Sequence, residues 1–253
     1  MRHNRGVKRV VVVGATDGLG KALAAEYASR GCWVALLGRS PEKLAAAEAE
    51  LRGRFPDATV VSVVCDLRDA ARLEPAFREA IAAIGHCDLF LYNAGVMFHG
   101  DGTTARAAQD RETMDVNASA AIVLLGLAAN YFREARRGQI AGISSIAGDR
   151  GRKGNPAYNA SKAAMTTYLE GLRNRLHPCG VTVSTVKPGF VGTKMTAGKK
   201  GLFWVVSPEN AARTIADRLD RGHEVFYVYR RWALFGLALH HIPRFLFKRF
   251  GPA

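Results

Sequence analysis

The sequence contains few cysteines, and their placement argues against disulfides and metal centres. Four cysteines stand far apart among 253 residues, with no C-x-x-C pair, and several lie beside strand-like runs. This placement predicts buried, reduced thiols. The seven histidines show no ligand spacing, so we expect no metal site. The cysteines are Cys32, Cys65, Cys87 and Cys179.

Long hydrophobic runs are also missing. No apolar stretch approaches the ~20 residues needed to cross a bilayer. The basic N-terminus is followed only by the short apolar run 10–13. This run is too brief for a signal-peptide core and is typical of a first strand. We therefore expect a cytoplasmic protein.

Acidic residues are scarce relative to basic ones. The chain has 22 Asp and Glu against 36 Lys and Arg, for a net charge of +14. Such a surplus permits attraction to nucleic acid, anionic lipid or a phosphorylated ligand, and it also promotes solubility. The basic residues are spread along the chain without the aromatic-interleaved motif of a nucleic-acid module, so we expect no nucleic-acid partner.

Short apolar runs alternate with longer amphipathic, helix-like stretches. This alternation predicts an α/β fold: a single Rossmann-type, doubly wound parallel sheet of about seven strands with helices on both faces. We expect one domain over residues 1–253, with a basic, hydrophobic C-terminal appendage at 229–253. The predicted strands are 9–13, 33–38, 59–64, 88–92, 139–144, 181–187 and 224–229.

Helix starts are marked by capping residues. Ser40, Asn155 and Ser207 each precede a proline, and Asp69 precedes a helix predicted to run to about Ile84. A side-chain oxygen at such a position accepts a hydrogen bond from the first helical turn.

A glycine-rich turn follows the first strand and opens the predicted helix 21–29. Glycines let the backbone turn tightly and approach a pyrophosphate, whose charge faces the helix N-terminus. An ordinary βα turn has a similar composition, but the position after the first strand favours a dinucleotide site. The candidate cofactor-binding residues in this turn are Gly14, Thr16, Asp17, Gly18, Leu19 and Gly20.

The end of the second strand bears on cofactor choice. An acidic residue there would bind the ribose hydroxyls of NAD, whereas this chain has Gly38 followed by Arg39. An arginine suits a 2′-phosphate, so we expect NADPH, with NADH as the alternative. A solvated arginine is the simpler explanation, and the negative charge of Asp17 favours NADH slightly.

Tyr158 and Lys162 stand four residues apart on a predicted helix, thirteen and seventeen residues after Ser145. Positions i and i+4 share a helix face. A nearby ammonium favours the phenolate, so we expect Lys162 to lower the pKa of Tyr158 and make it a proton donor and acceptor. A hydroxyl from Ser145 would fix a substrate oxygen beside them. Each residue alone could be structural.

Together these residues resemble the classical short-chain dehydrogenase/reductase family over about residues 8–228. The resemblance makes Ser145, Tyr158 and Lys162 catalytic and gives Asn117 the role of holding a proton-relay water. Ser144 is a rival to Ser145, but the thirteen-residue spacing to Tyr158 favours Ser145. The family's other cofactor contacts fall on Asp66, Leu67, Asn93, Ala94, Gly95, Pro188, Gly189, Val191 and Thr193, with Tyr158 and Lys162 binding the nicotinamide ribose. Val13 departs from the family's usual threonine.

Two C-terminal segments suggest the substrate. Residues 194–206 mix lysines, glycines and large apolar residues, as in a mobile lid over an apolar substrate. Residues 229–250 combine aromatic, aliphatic and basic residues. This tail could lie in a membrane interface or be buried in a homo-oligomer, and we favour peripheral membrane contact slightly.

The resemblance therefore implies an oxidoreductase that reduces a ketone on a hydrophobic or lipid-linked substrate reversibly to an alcohol. Segments 148–153 and 241–244 are similar to the reductase subunits of decaprenylphosphoryl-ribose epimerases, which implies a polyprenyl-phosphate keto-sugar as an alternative substrate. The glycine turn is also similar to that of long-chain 3-ketoacyl and steroid reductases. A hypothesis from another class is a catalytically silent dinucleotide sensor or scaffold.

Overall fold

Seven parallel strands form one sheet in the computed structural model of the protein, which describes residues 7–98, 104, 106–198 and 201–250. Their order is β3-β2-β1-β4-β5-β6-β7, so the sheet is doubly wound and the predicted fold class is confirmed. The strands are β1 (Arg9–Val13), β2 (Trp33–Gly38), β3 (Val60–Val64), β4 (Leu89–Tyr92), β5 (Gln139–Ile143), β6 (Thr182–Lys187) and β7 (Val225–Tyr227).

The strand predictions are correct to within two residues at each end. The largest difference is in β7, which we expected to span 224–229. It ends at Tyr227, because Tyr229 already occupies the N-cap position of the next helix. The predicted division into one domain with an appendage stays a prediction. Residues 1–6, 199–200 and 251–253, which belong to the predicted N-terminus, lid and appendage, lie outside the described residues.

Helices cover both faces of the sheet. In the described part of the chain they are α1 (Gly18–Ser29), α2 (Pro41–Arg54), α3 (Ala70–Ile84), α4 (Ala107–Met114), α5 (Ala120–Ala135), α6 (Pro156–Leu176), α7 (Pro208–Asp220), α8 (Arg230–His241) and α9 (Arg244–Phe250). One buried apolar cluster joins the sheet to α1, α2 and α7, and a second joins it to α3, α5 and α6. Both faces are therefore dry, which explains strands that are apolar on both sides.

Capping explains most helix starts. The side chains of Ser40, Asp69 and Ser207 accept hydrogen bonds from first-turn amides, as predicted. Asn155 occupies the N-cap position of α6, but its side chain forms no cap and donates instead to the carbonyl of Phe98 (2.8 Å). That prediction is wrong because the loop before α4 competes for the amide.

The helix after the glycine turn starts at Gly18, three residues before our prediction. Asp17 caps it, with Oδ1 accepting from the amide of Gly18 at 2.9 Å. A glycine-rich sequence has low helix propensity, so only the cap geometry reveals the true start.

The expectation that no stretch could span a bilayer needs correction. By length and composition alone, Ala107–Ala135 qualifies, although more than half of its most apolar window is buried in the fold. Its α5 portion packs on the sheet through residues such as Leu124 and Phe132. A core helix passes the same compositional test, so this stretch is only weak evidence for membrane insertion.

Candidate active site

The carboxyl ends of the parallel strands open into one cavity of about 1080 Å³. Its volume lies slightly above the ~300–1,000 Å³ range of small-molecule sites. We call the part formed by the glycine turn 14–20 and the ends of β2 and β3 the cofactor end. The part formed by loop 149–155, segment 188–206 and α8 is the substrate end. Of the predicted site residues, only Gly20 and Asn117 do not line the cavity.

The glycine turn brings the N-terminus of α1 against the sheet. Gly14 has a φ of +79°, and a Cβ there would lie 2.6 Å from the Cα of Ala94. A Cβ at Gly20 would lie 1.9 Å from the carbonyl oxygen of Gly14. Asn93 Nδ2 donates to that same oxygen at 3.3 Å. Gly20 therefore acts through packing, while Thr16 and Leu19 line the cavity at the start of α1.

Asp17 does not present an isolated negative charge to the cavity. Its Oδ2 accepts from the ammonium of Lys194 at 2.8 Å, and this hydrogen bond is the main reason the pKa of Asp17 is lowered. The pair joins the glycine turn to the predicted lid. Asp17 is thus a weaker objection to a phosphorylated cofactor than the sequence suggests.

The end of β2 presents cationic side chains. Arg39 is exposed, lines the cavity and forms no ion pair with any described residue. Ser40 and Lys43, on the first turn of α2, line the cavity beside it. Our sequence reasoning missed Ser40 and Lys43. Their position at the start of the helix after β2, next to Arg39, could have indicated that they line the cofactor end.

Asp66 and Leu67 follow β3 at the far side of the cofactor end. Both carboxylate oxygens of Asp66 accept from the guanidinium of Arg68, and Oδ1 also accepts from the Arg68 amide at 3.0 Å. These hydrogen bonds lower the pKa of Asp66, and Arg39 adds to the effect. Leu67 packs against the apolar cluster beneath. The carboxylate is therefore ionised and held in place.

Ser145 and Tyr158 meet in the middle of the cavity. Ser145 lies just after β5, where its Oγ accepts from the amide of Ala147 at 3.0 Å. Its hydroxyl also hydrogen-bonds the phenol of Tyr158. Ser144 points the other way, with its Oγ donating to the carbonyl of Lys162 at 2.9 Å. The alternation of side chains along an extended segment explains why the two hydroxyls point to different sides, that of Ser144 toward α6 and that of Ser145 toward Tyr158.

The pKa of Tyr158 moves against our expectation. Burial raises it above its ordinary value, while the hydrogen bond from Ser145 and the charge of Arg152 lower it to a smaller extent. The expected net lowering of the Tyr158 pKa is wrong for the protein alone, because burial outweighs the groups that stabilise the phenolate. The sequence shows that a cation is near but does not show how far the phenol is desolvated.

Lys162 is buried below the tyrosine ring, with its Nζ 5.8 Å from the ring centroid. The ammonium donates to the carbonyl of Ile143 at 2.9 Å. Burial lowers the pKa of Lys162 to about 8. The side chain is thus fixed by a strand carbonyl, with other donor hydrogens free to meet a ligand.

Asn117 lies in a single π-helical turn, Asp115–Ser119, between α4 and α5. Such turns often mark functional sites. Its side-chain amide accepts from the Val96 amide (2.7 Å) and donates to the Val96 carbonyl (2.9 Å) and Ser161 Oγ (3.1 Å). Asn117 therefore ties the loop after β4 to α6, and its relay role stays a prediction.

Gly95 lies between this asparagine and the buried lysine. A Cβ added to Gly95 would lie 3.3 Å from Asn117 Oδ1 and 3.4 Å from Lys162 Nζ. The predicted Asn-Ala-Gly segment thus runs directly beside Lys162.

The segment after β6 closes the cavity. Pro188, Gly189, Val191 and Thr193 all line it, and the carbonyl of Pro188 accepts from the amide of Ile146 at 3.1 Å. Val191 also bridges to Val206, so the predicted lid leaves and rejoins the fold at one place.

An aromatic wall forms the apolar side of the substrate end. Trp232 of α8 is buried and stacks on Phe203 of the lid, with ring centroids 5.3 Å apart. Phe190 and Phe235 meet Trp232 edge to face. The first turn of the appendage therefore packs inside its own chain, which our interpretation of the tail did not anticipate.

Loop 149–155 contributes a cation that sequence reasoning missed as a site residue. Arg152 lines the cavity near Tyr158, and burial lowers its pKa. Its neighbour Arg150 instead donates to the carbonyls of Leu239 and Ile242 and stacks on Phe247. Sequence alone could not tell which of these arginines faces the cavity.

The cofactor end fits a nicotinamide dinucleotide. The turn leaves no room for side chains at Gly14 and Gly20, the first residues of α1 line the cavity, and cations stand at the end of β2. A dinucleotide would place its pyrophosphate on the N-terminus of α1 and an adenosine at the ends of β2 and β3.

Comparisons with known proteins agree with this geometry. Residues 8–201 match the family model described as short chain dehydrogenase. An uncharacterized oxidoreductase of Myxococcus xanthus is 36% identical over 193 residues, which is 75% of this chain and 74% of that protein. An uncharacterized oxidoreductase of Mycobacterium tuberculosis is 28% identical and covers 85% of both chains.

A solved structure is also similar. The short-chain dehydrogenase from Sphingobium yanoikuyae in complex with NADPH superposes with a TM-score of 0.80 at 25% identity, covering 94% of this chain and 97% of that one. The chain belongs to the short-chain dehydrogenase/reductase family and is an NAD(P)-dependent oxidoreductase. The resemblance inferred from the motifs is confirmed.

Proposed function

We propose that the protein is an NADPH-dependent reductase that converts a ketone on a hydrophobic or lipid-linked substrate to an alcohol. The observation that carries this proposal is the meeting of Ser145, Tyr158 and Lys162 in one cavity, between a dinucleotide-type turn and an aromatic wall. The reaction is reversible in principle, and reduction is the direction that the site favours.

The bound cofactor would supply the hydride. Ser145 and Tyr158 would donate hydrogen bonds to the carbonyl oxygen, and Tyr158 would transfer its proton as negative charge develops there. Burial raises the pKa of Tyr158, so the phenol holds its proton at neutral pH. A protonated tyrosine suits reduction, in which it acts as an acid.

Lys162 would bind the cofactor's ribose hydroxyls with its free donor hydrogens. With a pKa of about 8, most of it carries charge at neutral pH. It would therefore stabilise the phenolate left after proton transfer. Asn117 would act mainly by fixing the backbone beside Gly95 and Lys162.

The preference for NADPH rests on charge. Arg39 lacks an acidic partner among the described residues, Lys43 lines the same part of the cavity, and Asp17 is paired with Lys194. An arginine fork matches a phosphate in both shape and charge. The NADPH complex of the similar solved structure supports the same choice.

An apolar substrate portion would lie against the aromatic wall. Phe190, Phe203, Trp232 and Phe235 present ring faces and edges to the substrate end. Burying an apolar group there would contribute about 25 cal/mol for each Å² removed from water.

Peripheral membrane contact is part of the proposal. Leu234, Leu237 and Phe245 are 72%, 59% and 67% exposed on α8 and α9, with Arg244 and Lys248 exposed beside them. Apolar side chains flanked by cations suit an anionic bilayer surface on the cytoplasmic side. A lipid-like ketone could then reach the aromatic wall, since α8 carries both features.

Vesicle sedimentation tests this contact. A Leu234→Ser, Leu237→Ser, Phe245→Ser variant should lose binding to phosphatidylserine-containing vesicles, whereas Val7→Ser, Val64→Ser, at exposed apolar positions outside the tail, should keep it. Equal binding by both variants would remove the tail from membrane contact.

A homo-oligomer remains part of the proposal as well. Ile122 and Val123 are 37% and 43% exposed on α5, where a second copy could cover them. Light scattering on the wild type and on Val123→Lys measures this: the variant should shift toward monomer.

The enzymatic proposal is tested by following NADPH absorbance with a panel of aliphatic, aromatic and lipid-like ketones. We expect turnover that increases with the apolar size of the ketone. Cofactor binding with no turnover across the whole panel would favour a dinucleotide sensor or scaffold instead.

A further inference from the structure

Loop 149–155 is fixed to the helix that carries the tyrosine. The Arg152 amide donates to Asn159 Oδ1 at 3.2 Å, and Asn159 Nδ2 donates to the carbonyl of Ala147 at 2.7 Å. Asn159 is buried and directly follows Tyr158. The backbone of Arg152 therefore has a defined position relative to the phenol.

The three basic residues of this loop differ in what they contact. Arg150 donates hydrogen bonds to the carbonyls of Leu239 and Ile242 in the appendage. Lys153 is exposed and does not line the cavity. Arg152 is half-buried and lines the cavity, and its guanidinium forms no hydrogen bond or ion pair with a described residue.

No carboxylate in the described part of the cavity wall neutralises this guanidinium. The acidic residues that line the cavity are Asp17, Asp66 and Glu112, and each has a cationic partner, Lys194 or Arg68. All three lie toward the cofactor end.

Asp149 lies three residues before Arg152 but is already engaged. Its carboxylate accepts from Lys187 Nζ at 2.6 Å and from the Tyr227 hydroxyl at 2.7 Å. Among the described residues, the substrate end thus carries a positive charge that no acidic side chain neutralises. An unpaired cation removed from water is costly, so an arriving anion would be bound favourably.

We propose that Arg152 binds an anionic group of the substrate, a carboxylate or a phosphate, and so selects anionic ketones with an apolar portion. This inference rests on the proposed ketone reduction and names its substrate class. The guanidinium offers paired donors that match two oxygens of either group. The aromatic wall, on other segments that line the substrate end, would take the apolar portion.

A binding experiment tests the anion site without catalysis. Octyl phosphate, octanoate and octanol are titrated calorimetrically into the full-length protein saturated with NADP⁺. Arg152→Ala should weaken the binding of both anions by about 10- to 100-fold, as expected for losing a charged hydrogen-bond pair. The affinity for octanol should stay unchanged. Arg152→Lys should fall between, since it keeps the charge but loses the fork. Lys153→Ala is the matched control and should bind all three like the wild type.

A kinetic experiment separates this inference from the proposed function. Keto acids of increasing length are compared with their neutral methyl esters. The ratio of kcat/KM for acid to that for ester cancels any change at Tyr158 itself. It should fall at least about tenfold in Arg152→Ala and stay constant in Lys153→Ala.

The outcomes are distinct. Failure of the wild type to reduce any ester would contradict the proposed ketone reduction. Reduction of esters with an unchanged acid-to-ester ratio in Arg152→Ala, or equal anion binding by wild type and Arg152→Ala, would overturn the anion site alone. Binding of octyl phosphate but not octanoate would assign the site to phosphate.

Discussion

The cofactor end and the substrate end of the cavity are built differently. The cofactor end consists of short turns between regular elements, and its carboxylates Asp17 and Asp66 are paired with Lys194 and Arg68. The substrate end is assembled from a loop, a lid and a C-terminal helix that are distant in sequence. It holds an aromatic wall and the unpaired Arg152.

This difference teaches which part of a family's site is general and which part is particular. Every relative binds a dinucleotide of the same shape, so the turn that holds it can be predicted from local glycine and capping patterns. Substrates differ between relatives, and the substrate end is formed by contacts between segments distant in sequence. Local sequence patterns do not predict those contacts. Substitutions confined to one end of the cavity test this difference.

The largest effect should come from the centre, where the two ends meet. Tyr158→Phe removes the proton donor, and we expect kcat to fall by about 10²- to 10⁴-fold with NADPH binding retained. Steady-state kinetics and fluorescence titration of NADPH measure the two quantities. Tyr168→Phe makes the same change on α6 away from the cavity and should be nearly silent. Comparable activity of the two variants would remove Tyr158 from the mechanism.

Substrate-end packing should matter for stability. Trp232 is 1% exposed, so Trp232→Ala should lower the free energy of unfolding by about 3–5 kcal/mol. It should also raise KM for apolar ketones more than KM for NADPH. Urea denaturation and kinetics check both. A loss of less than about 1 kcal/mol would mean that α8 is not packed as described.

The buried lysine predicts a pH dependence of stability. Folding depresses the pKa of Lys162 from 10.5 to about 8, so the unfolded chain binds more protons between these values. Stability should therefore rise as pH increases through this window, by about 3 kcal/mol at most. Lys162→Met should lack this rise, and the exposed-site control Lys153→Met should retain it. Denaturation of the cofactor-free protein at several pH values gives the comparison.

At the cofactor end, Arg39→Ala should raise KM for NADPH by about tenfold or more and change KM for NADH little. The reason is loss of a charged contact that only the 2′-phosphate would make. Arg54→Ala, at the C-terminus of the helix α2 that follows Arg39, is the control, since Arg54 does not line the cavity. Equal effects on both cofactors would refute the NADPH preference.

The smallest effect should come from the Asp17–Lys194 pair. Both side chains are substantially exposed, so Lys194→Ala should change stability by less than about 1 kcal/mol. Thermal denaturation measures it. A larger loss would show that the lid and the glycine turn form one cooperative unit.

Most of the fold could be predicted because its signals are local. Strands such as β1 are apolar runs, Ser40 and Ser207 cap their helices, and the order of motifs fixes the sheet. The start of α1 was missed because Asp17 caps a glycine-rich segment. The role of Asn155 was missed because its partner, Phe98, is distant in sequence.

In the candidate site, too, features with local signals could be predicted and features that depend on long-range packing could not. The i, i+4 spacing predicted that Tyr158 and Lys162 share a helix face, and the family resemblance added Ser145 to them. The pKa direction of Tyr158 could not be predicted, because it depends on burial by several elements. The position of Arg152 in the cavity wall and the inward packing of Trp232 could not be predicted either. Loops and terminal segments have no periodicity that shows which side chains face the interior.

The most direct test of the central claim is a crystal structure with NADPH bound. We expect the nicotinamide ring beside Tyr158, with its reactive carbon and the phenol oxygen both within about 3–4 Å of a site where a carbonyl can lie. Lys162 should contact the ribose hydroxyls. A nicotinamide bound outside the cavity, or a Tyr158 hydroxyl turned away from it, would contradict the assignment of this centre as the place of hydride transfer.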